Sequence, residues 1–201
     1  MNLVIRKAKS LVRLFIRMIA DSRVLYLMEL EFLGEEDFSR GALTWEEADL
    51  GGLSRFKEYF SPIRWKKYRR RIEEGERCLL GRYRGRPAHW FWLADGEEYR
   101  DRGLAFTFLL APEEGYLYDA NTVKEFRGRG FYREAIGEAA RLLGEKGKRI
   151  LLLAVSQTNR PARAAVEKSG FKVRGEIVHR RILGRKKTRY KRLSHRKEKR
   201  R

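Results

Sequence analysis

The sequence predicts a single α/β domain built on one mixed, mostly antiparallel sheet with helices on both faces. Three observations predict it. The order of hydrophobic patterns is helix, strand, helices, a group of strands joined by short turns, and then strand, helix, strand, helix and strand. Residues 150–155 form an uninterrupted apolar run, which is typical of a central strand covered on both faces. Residues 123–132 form a glycine-bearing loop between an apolar strand and a helical pattern.

The composition fits a globular protein of one domain. The chain has 201 residues, of which 42% are hydrophobic and 12% aromatic. No uncharged apolar run is long enough to cross a membrane, and basic residues interrupt the N-terminal stretch where an export signal needs an apolar core. The single cysteine, Cys78, cannot form a disulfide within the chain, which fits a reducing compartment. We therefore expect a cytoplasmic location.

The net charge of +20 is concentrated at the two ends of the chain. Residues 1–23 carry six Lys and Arg against one Asp, and residues 180–201 carry thirteen against one Glu. The body between them is close to balanced. Such basic ends indicate a nucleic acid, an anionic membrane surface, or simply solvated tails. Nothing in the pattern indicates an oligomeric state.

Three segments are expected along the chain. Residues 1–22 are interpreted as a basic amphipathic helix, residues 23–193 as the folded domain, and residues 194–201 as a disordered basic tail. Packing of the first helix on its own domain is the favoured interpretation, because most amphipathic helices pack in this way. Docking on a membrane surface or on a partner is the alternative.

The first half of the domain predicts one strand and then helices. The strand covers residues 24–32. Thr44-Trp-Glu-Glu47 has the form of a capping box and predicts the start of a helix. Further helices are expected over residues 53–60 and 63–74. The last of these combines an aromatic stripe with many arginines and lysines, which favours a solvated basic face, with nucleic-acid binding as the alternative.

The second half supplies the remaining strands and two helices. Strands are expected over residues 77–83, 87–94, 104–110, 116–123, 150–155, 171–176 and 178–191. One helix follows Tyr132 and is stopped by Gly144 and Gly147. The other begins at Asn159 as N-cap, with Pro161 in its first turn, and ends at Gly170.

The loop before the first of these helices is suited to a phosphate. Gly128 and Gly130 allow a sharp turn and a close approach of the backbone, and Arg127 and Arg129 add positive charge. The N–H groups of the first helical turn lack partners within the helix and add to its positive dipole. This stretch resembles the acyl-CoA signature Arg/Gln-x-x-Gly-x-Gly/Ala of the GCN5-related N-acetyltransferase (GNAT) superfamily, with Tyr132 in place of the usual small residue.

A second segment carries the same resemblance at the right distance. Asn159, Ala162, Glu167-Lys168 and Gly170-Phe171 match the family pattern of an asparagine, an alanine and a helix that ends in Glu-Lys-x-Gly-Phe. One helix and one strand lie between the two signatures, as in the family. The resemblance covers residues 77–183 well.

The resemblance implies a fold in which two central parallel strands splay apart and acetyl-CoA, or another acyl-CoA, binds in the gap. The pantetheine arm is then expected to meet the strand backbone near Thr122 and Val123, with Asn159 beside it. The pyrophosphate is expected on Arg127, Gly128, Arg129, Gly130, Phe131 and Tyr132.

The reaction implied is direct acyl transfer to an amine of a small molecule or peptide. Such transfer needs a proton acceptor for the amine and a proton donor for the departing thiolate. Asp119 is the candidate base, because an aspartate is unusual in an apolar strand and burial would raise its pKa. Pairing with an arginine, or a place at a bulge, is the equally weighted alternative. The family's usual tyrosine acid is replaced by Val166, and Tyr132 is the candidate substitute.

Other enzyme classes lack their signatures here. The sequence contains no dinucleotide or NTPase glycine loop and no hydrolase elbow, and one Cys with three His predicts no metal site. The sequence therefore predicts an acyl-CoA-dependent N-acetyltransferase with an unidentified acceptor. The alternative is a catalytically weak module of the same fold that docks on nucleic acid or another anionic surface through its basic ends.

Overall fold

The computed structural model describes residues 20–32 and 41–193. Its strands are β1 (Ala20–Glu31), β2 (Leu43–Glu47), β3 (Arg77–Tyr83), β4 (Arg86–Ala94), β5 (Glu98–Asp101), β6 (Phe106–Leu109), β7 (Glu114–Thr122), β8 (Ile150–Ser156), β9 (Lys172–Ile182) and β10 (Arg185–Arg192). Its helices are α1 (Leu50–Ser54), α2 (Pro62–Glu73), α3 (Phe131–Gly144) and α4 (Arg160–Lys168), with short 3-10 turns at Lys57–Tyr59 and Lys124–Phe126. The expected tail at 194–201 and nearly all of the expected helix at 1–22 lie outside the described residues.

One large sheet organises these elements. Eight strands follow the order β10-β9-β1-β8-β7-β4-β3-β2, and β5 pairs with β6 in a separate small sheet. Neighbours in the large sheet are antiparallel except for β7 and β8, which are parallel. The predicted mixed, mostly antiparallel sheet is therefore confirmed.

Helices cover both faces of this sheet, as predicted. On one face, α2 packs over an aromatic core that includes Tyr68, Trp90 and Trp92. On the other, α3 and α4 pack over an aliphatic core to which Leu117 and Leu153 belong. Because consecutive strand residues point to opposite faces, β7 and β8 contribute to both cores.

Several predicted boundaries are wrong. Residues 43–47 form edge strand β2 rather than the start of a helix, because the Trp45 ring packs edge-on against Phe91 and the backbone pairs with β3. The helix begins later, where the Asp49 side chain accepts a hydrogen bond from Gly52 N. The last hairpin turns at residues 183–184 rather than near residue 177. Strand β5 was not predicted. Residues 20–22 belong to β1 rather than to an N-terminal helix.

None of the helices in the described residues has the length and apolar character that a membrane span needs.

Candidate active site

The parallel strands β7 and β8 separate part-way along their length. They pair in register from Glu114 and Ile150 as far as Leu117 and Leu153. Each strand then continues, β7 to Thr122 and β8 to Ser156, without further pairing between them. The predicted splay of the two central strands is therefore confirmed, and it opens a gap in the middle of the sheet.

A β-bulge lies where the strands separate. Trp90 pairs with Asn121 and Trp92 with Tyr118, so Asp119 and Ala120 both lie opposite a single residue of β4. Asp119 adopts a positive φ of 48°. The bulge places Tyr118 and Asp119 on the same face of the sheet, towards α2, instead of on opposite faces.

Asp119 is held by two cations from α2. Its Oδ2 accepts hydrogen bonds from Lys67 Nζ at 2.6 Å and from Arg71 Nη1 at 2.9 Å. Burial alone would raise the pKa of Asp119, but the charges of Lys67 and Arg71 outweigh it and hold the pKa below its ordinary value. The expectation of a raised pKa for Asp119 is therefore wrong, and the expected alternative of pairing with an arginine is observed.

A cleft of about 450 Å³ opens beside this carboxylate. Its lining combines five cationic side chains with three acidic ones and two tyrosines: Lys67, Arg70, Arg71, Arg100, Arg102, Glu76, Asp101, Asp119, Tyr99 and Tyr118. The Tyr118 hydroxyl donates to Glu76 Oε2 at 2.8 Å, and Arg71 contacts Glu76 at 3.2 Å. The cleft is therefore polar and ordered by ion pairs, with Asp119 at the end nearest the strand gap.

The sequence did not predict the residues around Asp119. Lys67 and Arg71 were interpreted as part of a solvated basic face, yet the Arg71 side chain is only 12% exposed. Their spacing of four residues places both on one side of α2, and this was the one local signal that they act together. Tyr99 comes from β5, which was not predicted.

A second cleft, of about 590 Å³, follows the end of β7. Asn121, Thr122, Val123 and Arg127 are among its lining residues. Val123 N donates to Ala88 O in β4 at 2.9 Å. Because antiparallel partners alternate, the N–H and C=O of Thr122 point the other way, into the gap left by β8. Arg127 Nε reaches the Thr122 carbonyl at 3.3 Å and ties the loop to the strand.

The glycine loop leads directly into α3. Gly128 has a φ of +81° and Gly130, the N-cap of α3, a φ of +82°. A Cβ added at either position would meet no atom within 4 Å, so packing does not require glycine here. The backbone geometry does require it, and the space above the loop is open. Phe131, by contrast, is buried and anchors the first turn of α3.

The basic side chains of this loop are exposed to solvent. Arg127 and Arg129 are both exposed, and the Arg129 guanidinium lies 5.6 Å from the centre of the Tyr83 ring. Gly130 has no side chain with which to cap α3, so the helix begins with backbone donors facing the open space. These features together form a surface that accepts an anion.

The second signature forms the predicted helix. Asn159 is the N-cap of α4, and its side chain accepts a hydrogen bond from Ala162 N at 3.4 Å. Asn159 follows β8 and is exposed on the far side of the gap from Thr122. Val166, which stands where the family has its tyrosine, is fully buried in the aliphatic core.

Tyr132 is placed apart from Asp119. Its ring centre lies 6.2 Å from that of the buried His89, whose Nδ1 is 2.8 Å from Thr122 Oγ1. Burial raises the pKa of Tyr132 to about 12. Within the described part of the chain, the contacts of Asp119 and those of Tyr132 share no residue, so the two predicted catalytic side chains are not brought together. Their roles stay predictions.

No group of three or more potential metal ligands occurs among residues 20–32 and 41–193.

Comparison with known proteins gives a family match over part of the chain and a shared fold. Residues 97–181 match the model of the FR47-like protein family, a range that contains both signatures. No curated protein sequence matches the chain significantly.

Solved structures share the fold at low sequence identity. A functionally unknown conserved protein from Staphylococcus epidermidis has a TM-score of 0.60 at 11% identity, over 85% of this chain and 66% of that one. A GNAT-family acetyltransferase from Colwellia psychrerythraea has a TM-score of 0.57 at 16% identity, over 79% and 56%. An aminoglycoside N-acetyltransferase in complex with CoA has a TM-score of 0.50 at 16% identity, over 64% and 91%.

The chain spans about two thirds or less of the length of the first two structures. At such low identities, structural likeness establishes the fold alone. The family match covers the glycine loop, α3, β8 and α4, which are the elements around the gap. The matched segment is thus similar to the FR47-like family, and the chain shares its fold with solved structures that include GNAT-family acetyltransferases.

Proposed function

We propose that the protein is an acyl-CoA-dependent N-acyltransferase that moves an acetyl group from acetyl-CoA to an amine. The observation that carries the proposal is the gap between β7 and β8, which places an anion-accepting loop at one end and a carboxylate at the other. Thr122 directs backbone groups into this gap, and the aminoglycoside acetyltransferase of the same fold is a CoA complex. Those facts support binding of acetyl-CoA, or of another acyl-CoA.

The loop residues fit the pyrophosphate of such a molecule. Gly128 and Gly130 leave open space above the backbone, and Arg127 and Arg129 supply charge. The pantetheine arm would meet Thr122 and Val123 on one side of the gap and Asn159 on the other. The Oδ1 of Asn159 accepts from α4, which leaves its amide NH₂ as the donor towards the arm.

The acceptor is assigned to the cleft beside Asp119. Its volume suits a small-molecule amine or one side chain of a peptide. Lys67 is 42% exposed, so the acceptor's ammonium can replace it on Asp119 Oδ2 while Arg71 stays in place. Asp119 would then fix the nitrogen at the point where the strands separate. Because attack needs a neutral amine, Asp119 or water in the open cleft takes its proton.

Acetyl-CoA, when bound, supplies the acyl group as a thioester. Two further groups of the protein complete the proposal, a backbone N–H at the bulge and the Tyr132 hydroxyl. The bulge at Asp119 and Ala120 leaves a backbone N–H outside the β4–β7 ladder, and such a donor stabilises negative charge on a carbonyl oxygen. Tyr132 is protonated at neutral pH, since the ordinary pKa of tyrosine lies well above 7 and burial raises it further, to about 12. We assign it the proton donor's role that the buried Val166 cannot fill.

Binding of acetyl-CoA is tested by calorimetry with a matched pair of variants. Gly130→Val should weaken binding by at least about tenfold, because it forces a β-branched residue into a left-handed turn at the anion site. Gly147→Val is the control, since Gly147 has a φ of +72°, is equally open, and lies at the opposite end of α3. The control should bind as the wild type does.

Acylation is tested by thiol release from acetyl-CoA over a panel of small amines and lysine peptides. Release with at least one amine is expected. If acetyl-CoA does not bind, the proposed cofactor is wrong and the proposal is overturned. Binding without release from any amine would favour the alternative, a module of this fold that has lost catalysis.

A further inference from the structure

The hairpin of β9 and β10 ends in an unusual tip. Its turn is Leu183-Gly184, with φ values of +47° and +77°. Ile182 pairs with Arg185 immediately before and after it. Leu183 is 76% exposed and Ile182 57% exposed. Two aliphatic side chains therefore project into solvent at the end of the sheet.

Folding alone does not explain a leucine at this position. Two-residue turns with two positive φ values strongly prefer Asn-Gly, because asparagine and glycine tolerate the left-handed region. A leucine there is strained, and its exposure gains no burial energy. Strained residues of this kind cluster at functional sites, so this one motivates a search for a contact outside the folded chain.

Among the described residues the surroundings of the tip are strongly basic, with Asp21 of β1 opposite Arg181 as an acidic neighbour. Arg180, Arg185, Lys186 and Lys187 are exposed around Ile182 and Leu183. The sequence has no Asp or Glu from residue 177 to residue 197, and residues 180–192 carry eight Lys and Arg. Ile182 and Leu183 therefore project from a surface with a large excess of positive charge.

The hairpin behind the tip is a fixed platform. Thr188 Oγ1 donates to the Leu104 carbonyl, and Lys186 Nζ donates to the Arg102 carbonyl at 3.1 Å. The Tyr190 ring lies so close over Gly175 that a Cβ there would be 2.5 Å from the ring. These contacts hold β10 against the rest of the domain, so the tip has a defined direction.

We propose that this tip docks the protein on an anionic lipid bilayer. Ile182 and Leu183 would enter the boundary between headgroups and acyl chains, while the neighbouring arginines and lysines bind the lipid phosphates. Aliphatic side chains fit this environment, whereas nucleic-acid surfaces combine positive charge with aromatic rings on which bases stack. Strands β9 and β10 contain one such ring, that of Tyr190, and this ring packs on Gly175. The proposal does not depend on acetyl-CoA binding.

Sedimentation of the full chain with vesicles tests the proposal. Vesicles of phosphatidylcholine with roughly a quarter phosphatidylglycerol should bind the protein, less so at high salt, and vesicles of phosphatidylcholine alone should bind it poorly. Leu183→Asn removes the aliphatic side chain and supplies the residue that the turn prefers. It should lower binding by about tenfold without lowering the melting temperature.

A matched control separates the tip from other exposed apolar residues. Ile63, at the start of α2, is 84% exposed, and Ile63→Asn should leave vesicle binding unchanged. Because both variants keep the basic ends, a loss confined to Leu183→Asn assigns the contact to the hairpin. Vesicle binding that is absent in the wild type, or unchanged in Leu183→Asn, overturns the proposal. Tight binding of a single-stranded RNA in place of vesicles would identify a nucleic-acid surface and overturn it as well.

Discussion

The two ends of the gap between β7 and β8 present different chemical groups, backbone at one end and side chains at the other. The proposed cofactor end uses backbone: two glycines with positive φ, the N-terminus of α3 and the outward groups of Thr122. The proposed acceptor end uses side chains, with Asp119 held between Lys67 and Arg71. A backbone site is specified by residues close together in sequence, whereas an ion-pair site requires distant elements to meet. The two ends should therefore respond differently to substitution, pH and charge removal.

The largest expected difference between them concerns Asp119→Asn. Asparagine fits the same volume and tolerates the positive φ, so the bulge is retained. Loss of the carboxylate should lower the rate of amine acylation by about 100-fold, because a positioned group that orients the amine and takes its proton is removed. Acetyl-CoA affinity, measured by calorimetry, should stay near that of the wild type.

Asp101→Asn is the control for that measurement. Asp101 lines the same cleft, and its Oδ1 accepts from Leu104 N, a bond that asparagine preserves. It should retain most of the activity. If Asp119→Asn weakened acetyl-CoA binding and acylation equally, the division of the gap into a cofactor end and an acceptor end would be wrong.

The next difference concerns how much folding stability each end loses as the pH falls. His89, beside Thr122 at the cofactor end, is fully buried, and burial lowers its pKa from 6.5 to about 3. Between these values the unfolded chain binds a proton that the folded chain does not, so stability is complete above 6.5 and is lost as the pH falls. At about pH 5 the loss amounts to about 2 kcal/mol. Asp119, with a lowered pKa, contributes no such loss until the pH falls below its ordinary value of 3.8.

Denaturant unfolding at several pH values checks this prediction. His89→Gln should flatten the loss of unfolding free energy between neutral pH and about pH 5, because it removes the group that titrates. His179→Gln removes another buried imidazole bonded to a threonine hydroxyl, and it should leave the acid loss in place. Equal acid sensitivity in wild type and His89→Gln would show that His89 does not carry it.

The same contrast explains what the sequence predicted well. The strand, loop and helix around Gly128 and Gly130 lie within one short segment, and turn chemistry and helical spacing act locally. The N-cap at Asn159 is equally local. These elements were predicted with nearly correct boundaries, and the splay of the two strands followed from the family resemblance.

The acceptor end could not be predicted in this way. Lys67 and Arg71 lie 52 and 48 residues from Asp119 along the chain, and only the packing of α2 on the sheet brings them together. At Thr44-Trp-Glu-Glu47, distant contacts instead made a local prediction wrong. A local helix signal was overruled because the edge of β3 takes a partner strand and Trp45 fills a position against Phe91.

The smallest expected effect separates the two cations that hold Asp119. The charge of Lys67 lowers the pKa of Asp119, so Lys67→Gln should raise it and leave Arg71 as the main partner. If the ionised carboxylate is needed, the acidic limb of the pH–rate profile should move to higher pH. The neighbouring Lys66 is exposed on α2, and Lys66→Gln should leave the profile unchanged. A profile that does not move in Lys67→Gln would mean that another group takes the proton, and Asp119 would then act by positioning the amine alone.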